Sequence, residues 1–444
     1  MGDIIVLRYI VTVTEDLIMV AAIVTMIAAL CKLAFGFKGV RFIKAGVLAG
    51  ILASLAMAYA KNKTSKIATN QWNFYIFIGT IALTLLFFVF SIAFGRKHRV
   101  LSYYGSDLGQ SIGIGGIIVG VLSSALTAIL LFYEAPDVLA YPFKFETAGN
   151  GILSAEWALR LAGYLLALLL IAVYVRLLYV CALRLNSTYA VIWVSNAMLL
   201  FNAVRCFGLA VSKWTARSRW LKWLPAYSRT RAPWAFPLAK FTTNHTLLFV
   251  ILITAFSLLI PAALFIRDLR VHSPYSNSAQ LRRLKAEGRK SRRNAIGVLA
   301  CFMLILINLT LIQSYLNRPV ELSQPEPYTL EDNKVYIAIE QINDGHLHRF
   351  EYTTENNIGV RWIIVKKPGA GAYGVGLDAC DVCGNAGYYE RGEQIVCKRC
   401  DVVMNINTIG FKGGCNPIPL EYSVADGNII IPLPAVLAGE KEFK

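Results

Sequence analysis

The residues best suited to chemistry are five cysteines near the C-terminus, four of which form two C-x-x-C pairs. Cys380 and Cys383 form the first pair, Cys397 and Cys400 form the second, and Cys415 follows further along the chain. A C-x-x-C turn directs two sulfurs at one centre, so two such turns can supply the four soft thiolates of a tetrahedral site. The spacing therefore predicts a bound metal ion or cluster.

The spacing alone leaves the identity of the bound group open. A structural zinc ribbon uses four ligands of this type, and an iron–sulfur cluster with four cysteine ligands fits the same pattern. Redox-active disulfides are a third alternative, because thiol pairs outside the cytoplasm are oxidised unless a metal or a reductase protects them. A closed zinc site has four ligands, so Cys415 would be a fifth cysteine beyond that number. It remains a further candidate ligand.

Two histidines in the stretch "DGHLHRF" are also candidate ligands. His346 and His348 are two positions apart, and in a strand they would project from the same face. Asp344 could serve as a third ligand or could orient an imidazole. A pair of ordinary surface histidines is an equally good interpretation of this stretch.

The rest of the chain must position these groups, and its composition is that of a membrane protein. Hydrophobic residues make up 56% and charged residues 16%, with a mean hydropathy of +0.53. Apolar runs of about 20 residues match the hydrocarbon core of a bilayer. Eight such runs occur, roughly at 10–36, 44–60, 72–94, 111–133, 157–183, 188–211, 245–266 and 295–316. Charged residues interrupt the first run, so no cleavable signal peptide is expected.

The charge of the two halves differs in sign. Residues 1–317 have a net charge of +22, whereas residues 318–444 have a net charge of −5. The basic charge therefore belongs to the membrane loops, where it contacts lipid headgroups, and no nucleic-acid partner is expected. Four basic connections fall on one side if the spans alternate, and the positive-inside rule makes that side cytoplasmic. An even number of spans then places the C-terminal domain outside the cytoplasm. Residues 212–244 are also basic but would fall on the opposite side; they mix Trp with Arg, as a segment lying in the interface does.

The C-terminal part is predicted to be small and mostly β. Residues 318–332 contain three prolines and form the predicted linker, since proline prevents the last helix from continuing. Short β-like runs follow within residues 333–444, separated by Gly, Asn and Pro. The predicted fold is thus an α-helical membrane bundle of about eight spans over residues 1–317, followed by a mostly-β, cysteine-rich metal-binding domain.

Carboxylates inside the apolar runs are a second candidate site. Glu15 and Asp16 lie near the outer end of the first span, and Glu156 begins the fifth. A carboxylate that faces lipid is costly, so these side chains should face protein or water. They are a candidate cation path; an ordinary helix start at the interface is the alternative for Asp16.

The C-terminal stretch that contains "GVRWIIVKK" and "AYGVGLDACDVCGNAGYYERGEQIVCKRC" resembles the FtrD-like membrane iron–sulfur proteins of bacteria, and the run from Asp378 to Pro419 is its most specific part. The membrane half resembles the long members of that family in layout. The resemblance implies a component of a bacterial iron-uptake system in the cytoplasmic membrane, working beside a periplasmic iron-binding protein and an iron permease. It implies iron or an iron–sulfur cluster on Cys380, Cys383, Cys397, Cys400 and Cys415, and an electron-transfer component rather than a classical enzyme. A zinc-stabilised binding module on a membrane anchor and a thiol–disulfide redox protein are the alternative functions.

Overall fold

The computed structural model divides the chain into two units, Met1–Asn317 and Arg318–Lys444. The residues that it describes are 2–63, 69–94, 113–144, 154–215, 232–269, 274–316, 321–367, 371–380, 383–391, 394–399, 403–411 and 416–443.

The first unit is a bundle of long apolar helices. In chain order they are α1 (Gly2–Lys63), α2 (Thr69–Phe94), α3 (Ile114–Ala140), α4 (Ala155–Leu185), α5 (Thr188–Thr215), α6 (Ala235–Asn244), α7 (Thr246–Phe256), α8 (Leu259–Arg267), α9 (Ser278–Ile307), a π-helix (Asn308–Ile312) and α10 (Gln313–Leu316). Over the described residues, seven helical segments are long and apolar enough to cross a membrane. They are Ile4–Ala60, Trp72–Phe94, Ile114–Ala140, Trp157–Leu185, Thr188–Thr215, Thr246–Arg267 and Ser278–Leu316.

Helix α1 contains two of the predicted spans. Its 62 residues would extend about 90 Å if straight, three times the hydrocarbon thickness of a bilayer. Gly36 interrupts it with φ 64° and ψ −148°, a conformation that is nearly restricted to glycine. The helix is therefore two segments joined by a kink at Gly36.

Contacts with α3 show that the chain reverses direction at this kink. Before it, Asp16 accepts a hydrogen bond from Tyr141 just after α3, and Cys31 lies 3.3 Å from Ser123. After the kink, the contacts advance along α3 in the direction of the chain. The residues that follow the kink lie beside the N-terminal half of α3, and further along the segment Ser54 donates to the carbonyl of Leu131 at 3.1 Å. The first segment is antiparallel to α3 and the second is parallel. The predicted helical bundle of about eight spans is thereby confirmed.

The second unit is built from small antiparallel sheets. Its described strands are β1 (Thr329–Glu331), β2 (Lys334–Ala338), β3 (His348–Thr353), β4 (Gly359–Lys366), β5 (Tyr373–Leu377), β6 (Tyr388–Arg391), β7 (Gln394–Cys397), β8 (Val403–Met404), β9 (Ser423–Ala425) and β10 (Asn428–Pro432). They form three sheets with the orders β1-β2-β10-β9, β3-β4-β5 and β6-β7-β8. The predicted mostly-β domain is confirmed, with one short α-helix among its described residues, α11 (Leu433–Ala438), after β10. The stretch predicted to be a linker contributes β1 to the first sheet.

Strand β4 separates two hydrophobic cores in this unit. Trp362 and Ile364 pack on one face, among residues of the first and second sheets, whereas Ile363 and Val365 pack on the other. This alternation follows from the two-residue period of a strand. The second core contains Cys380, Cys383 and Cys397, so the candidate site lies against a strand that is buried on both faces.

Candidate metal centre

Three of the predicted cysteine ligands converge in the second core. Cys380 follows β5, Cys383 lies in the next turn, and Cys397 ends β7. Their Sγ atoms all lie within 4.8 Å of one another, and all three residues are buried. Cys400 and Cys415 lie outside the described residues. The structure thus brings together thiols from both C-x-x-C pairs.

Hydrogen bonds of the first C-x-x-C turn fix its shape. The amide of Cys380 donates to the carbonyl of Gly384 at 3.1 Å, and the amide of Gly384 donates back at 2.9 Å. Gly384 has a φ of +66°, which closes this turn at no steric cost. The amide of Cys383 donates to Cys380 Sγ at 3.1 Å. An N–H directed at sulfur stabilises a thiolate, so the turn is preorganised to hold negative charge.

The three thiols fit a metal ion. Sulfurs that share one tetrahedral ion at a metal–sulfur distance of about 2.3 Å lie about 3.8 Å apart, a little closer than the limit of 4.8 Å observed. Soft thiolates select zinc, copper(I) or iron–sulfur groups over hard cations. The donor set is also that of iron–sulfur ligation, which uses cysteine thiolates throughout. Cys380, Cys383 and Cys397 would hold the group.

A buried charge network supports the segment that carries Cys380. Asp378 is fully buried and accepts hydrogen bonds from Arg349 Nε at 3.0 Å, from Arg361 Nε at 3.2 Å and from the amide of Tyr388 at 2.7 Å. Arg349 also donates to the carbonyls of Ser323 and Tyr388. Both backbone polar groups of Tyr388 are therefore held by this ion pair, and β6 is fixed against the turn of Cys380.

Tyr388 links the network to the sulfurs. It is buried, it pairs with Cys397 across β6 and β7, and its hydroxyl hydrogen-bonds to Cys380. Burial, with the nearby thiols of Cys380 and Cys397, raises the pKa of Tyr388 far above its usual range. The phenol therefore remains a neutral group beside the sulfurs.

Sequence reasoning missed Asp378, Arg349 and Tyr388. The local signal was present for Asp378, which stands two residues before Cys380 in the segment used for the family resemblance. Arg349 gave no comparable signal, because β3 has the largely polar sequence HRFEYT, in which an arginine is ordinary. Only its burial in the structure shows that it requires a buried carboxylate.

The two histidines are not among the residues whose ligand atoms group with the thiols in the described part of the chain. His346 precedes β3 in a bend, and β3 begins at His348, so the strand does not present them as a pair. His348 is buried, with Nδ1 at 2.9 Å from Glu326 and Nε2 at 2.8 Å from Asp344. His346 is exposed and bonds to Glu390 at 2.8 Å. The ligand role of both residues stays a prediction.

Hydrogen bonds between carboxylates and imidazoles shift the pKa values of Asp344 and His346 in opposite directions. The hydrogen bond to His348 is the largest cause that lowers the pKa of Asp344, and the hydrogen bond to Glu390 is the largest cause that raises the pKa of His346. These contacts tie the bend to β3 and β6.

The candidate cation path lies in the first unit. Glu15 accepts a hydrogen bond from Gln313 at 3.0 Å, and Asp16 accepts one from Tyr141 at 2.8 Å. Both carboxylates therefore face protein, as predicted from the cost of lipid exposure. The side chain of Glu156 lies outside the described residues, and the role of the three acids stays a prediction.

Comparison with known proteins gives one family match. The family model described as membrane iron–sulfur containing protein FtrD-like matches residues 342–443. Neither the curated proteins nor the solved structures give a match. The matched range contains Cys380, Cys383 and Cys397 and all of the second core. The resemblance is therefore confirmed over this range: residues 342–443 of the second unit are similar to the FtrD-like membrane iron–sulfur proteins.

Proposed function

We propose that this integral membrane metalloprotein supports bacterial iron uptake, either by transferring electrons or by holding iron beside a permease. The observation that carries the proposal is the convergence of three buried thiols within 4.8 Å, inside the range that matches an iron–sulfur family. The proposed location is the cytoplasmic membrane, with the second unit outside the cytoplasm. A periplasmic iron-binding protein and an iron permease are the proposed partners.

Each residue of the centre has a defined task. Cys380, Cys383 and Cys397 bind the group, and Cys400 and Cys415 are proposed as additional ligands. A bound iron–sulfur group or iron ion supplies one-electron exchange at this position. The apolar side chains of the second core exclude water from the sulfurs, and the amide of Cys383 lowers the cost of negative charge on Cys380.

The test is the metal content of the full-length chain, purified without oxygen. We expect iron, acid-labile sulfide and visible absorption that dithionite bleaches, all lost in Cys380→Ser and in Cys397→Ser. Cys301→Ser is the matched control, because Cys301 is a buried cysteine of the membrane bundle and should leave the spectrum unchanged. Iron that persists in both ligand variants would refute the assignment of the site.

A single zinc ion is the second candidate, favoured by the short distances among the sulfurs. Stoichiometric zinc in a colourless sample, lost in the same cysteine variants, would make the second unit a zinc-stabilised binding module. Electron transfer would then be excluded, and iron handling would have to depend on the membrane unit.

A further inference from the structure

The last membrane-spanning segment contains a π-helix that changes which residues share a face. This π-helix, Asn308–Ile312, lies between α9 and α10. Residues five positions apart in an α-helix point about 140° away from each other, given 3.6 residues per turn. The i→i+5 bonding of a π-helix brings such residues towards one face, and π-helices often occur at functional sites. Asn308 and Gln313 are five positions apart, and both contact α1.

The amide nitrogens of these two side chains donate hydrogen bonds to residues of α1. Asn308 Nδ2 donates to the carbonyl of Ile10 at 3.4 Å and to Thr14 Oγ1 at 3.3 Å. Gln313 Nε2 donates to Glu15 Oε2 at 3.0 Å. A carbonyl and a carboxylate accept hydrogen bonds and do not donate them, so the orientation of both amides is fixed by their partners.

The amide oxygens differ from the nitrogens in this respect. Asn308 Oδ1 and Gln313 Oε1 are buried and receive no hydrogen bond from any described residue. Asn308 is only 3% exposed, so bulk water does not solvate its oxygen. Buried polar atoms are nearly always paired, and an unpaired one in a native structure calls for an explanation such as a bound ion or water.

We propose that Glu15, Gln313 and Asn308 form an oxygen-lined binding site for a small monovalent cation such as Na⁺. The site would use a Glu15 carboxylate oxygen and the two free amide oxygens, and hard oxygen ligands of this kind suit hard cations. Among the three proposed ligands only Glu15 carries a charge, because both amides are neutral, and the neighbouring Asp16 is hydrogen-bonded to Tyr141. One negative charge balances one monovalent ion in the low-dielectric bundle.

This site is independent of the cysteine centre in ligand chemistry and in sequence. It gives the candidate cation path specific residues on α1, the π-helix and α10, of which Asn308 and Gln313 carried no signal in the sequence. Similar use of irregular helical segments to coordinate ions occurs in membrane transporters.

The test is direct ion binding to the full-length protein in nanodiscs, with choline as the background cation. Radioactive Na⁺ should bind saturably, and Na⁺ should raise the thermal unfolding midpoint relative to choline. Asn308→Leu and Glu15→Gln should each weaken Na⁺ binding at least tenfold. Asn196→Leu is the matched control, because Asn196 is buried in the bundle with its amide already bonded to Ser91, and it should keep the Na⁺ affinity.

A charge-changing variant covers the case in which the leucine variant does not fold. Gln313→Glu keeps the length of the side chain, raises the site charge to −2, and should shift the preference from Na⁺ towards Ca²⁺ or Mn²⁺. Na⁺ binding that is absent, or that is unaffected by Glu15→Gln and Gln313→Glu, would overturn the proposal. Binding of Fe²⁺ to the unmodified site without binding of Na⁺ would also overturn it. Cys380→Ser should leave Na⁺ binding intact, so failure of the cysteine assignment is distinguishable from failure of this site.

Discussion

Replacing Asp378 by asparagine should be one of the most damaging single-atom changes in the second unit. The substitution keeps the shape of the side chain and removes its charge. Arg349, whose side chain is 1% exposed, would then be a buried guanidinium without a carboxylate. Removing one partner of a buried ion pair typically costs about 3–5 kcal/mol. The total stability of a domain is only about 5–15 kcal/mol, so much of it would be lost.

The magnitude depends on how many contacts Asp378 makes. Besides Arg349, its carboxylate accepts a hydrogen bond from the amide of Tyr388 at 2.7 Å and one from Arg361 at 3.2 Å. Arg361 is 26% exposed on its side chain and can be solvated by water. We therefore assign most of the cost to Arg349 and to the backbone of Tyr388.

Hydrogen exchange of the full-length protein measures this cost. In Asp378→Asn, the slowest amides of β5 and β6 should lose protection by a factor of about 150 to 4500, equivalent to about 3–5 kcal/mol. Arg361→Met is the matched control, because it removes a partly exposed partner of the same carboxylate and should cost about 1 kcal/mol or less. Adding Arg349→Met to Asp378→Asn should recover part of the loss, since no unpaired charge remains. An effect of Asp378→Asn no larger than that of Arg361→Met would refute this reasoning.

Three further outcomes are expected elsewhere in the chain. Arg205 and Glu134 form a 2.8 Å ion pair inside the bundle. Arg205→Met should therefore destabilise the protein by about 3–5 kcal/mol, measured as a lower thermal midpoint in detergent. Adding Glu134→Gln should restore part of that midpoint, because no unpaired charge remains. An unchanged midpoint in the single variant would contradict this role. Because Glu390 raises the pKa of His346 above its ordinary value of 6.5, their contact is fully present below that value and is lost as pH rises through the raised pKa. Glu390→Gln should lower the pKa of His346 measured by NMR, and an unchanged pKa would argue against the contact. Gly36→Ala should cost about 1–3 kcal/mol, because its φ of 64° with ψ of −148° strains any side chain; a midpoint equal to that of the native protein would show that the kink tolerates a Cβ.

The parts of the fold that the sequence predicted are those that depend on local patterns. Bilayer-length apolar runs predicted the spans, since hydrocarbon thickness fixes their length. The reversal within α1 separates two of those runs at Gly36, so the two predicted spans are correct although the secondary structure is continuous. The C-x-x-C spacing predicted the thiol group because the turn from Cys380 to Gly384 forms from neighbouring residues.

The parts that the sequence did not predict depend on long-range pairing. Arg349 and Asp378 are on β3 and just after β5, and only the sheet order β3-β4-β5 explains why they meet. The histidine pair was placed on one strand face, but β3 begins at His348, and His346 lies in the preceding bend. The positions of Asn308 and Gln313 depend on a π-helix, which has no hydropathy signature.

The two proposed ion sites differ in donor chemistry, and this difference has a functional consequence. Thiolates in the second unit favour soft or borderline metals, whereas the oxygens around Glu15 favour hard cations, so neither site should compete for the ion of the other. The segment that carries Cys380 is also held by a fully buried ion pair. The oxygen site, in contrast, includes residues of a π-helix, which deviates from α geometry. A rigid site suits one-electron exchange, because little reorganisation is needed, and a site on an irregular helix suits reversible ion binding. The two proposals therefore assign a soft-metal centre to the second unit and a hard-cation site to the first, with no ligand in common.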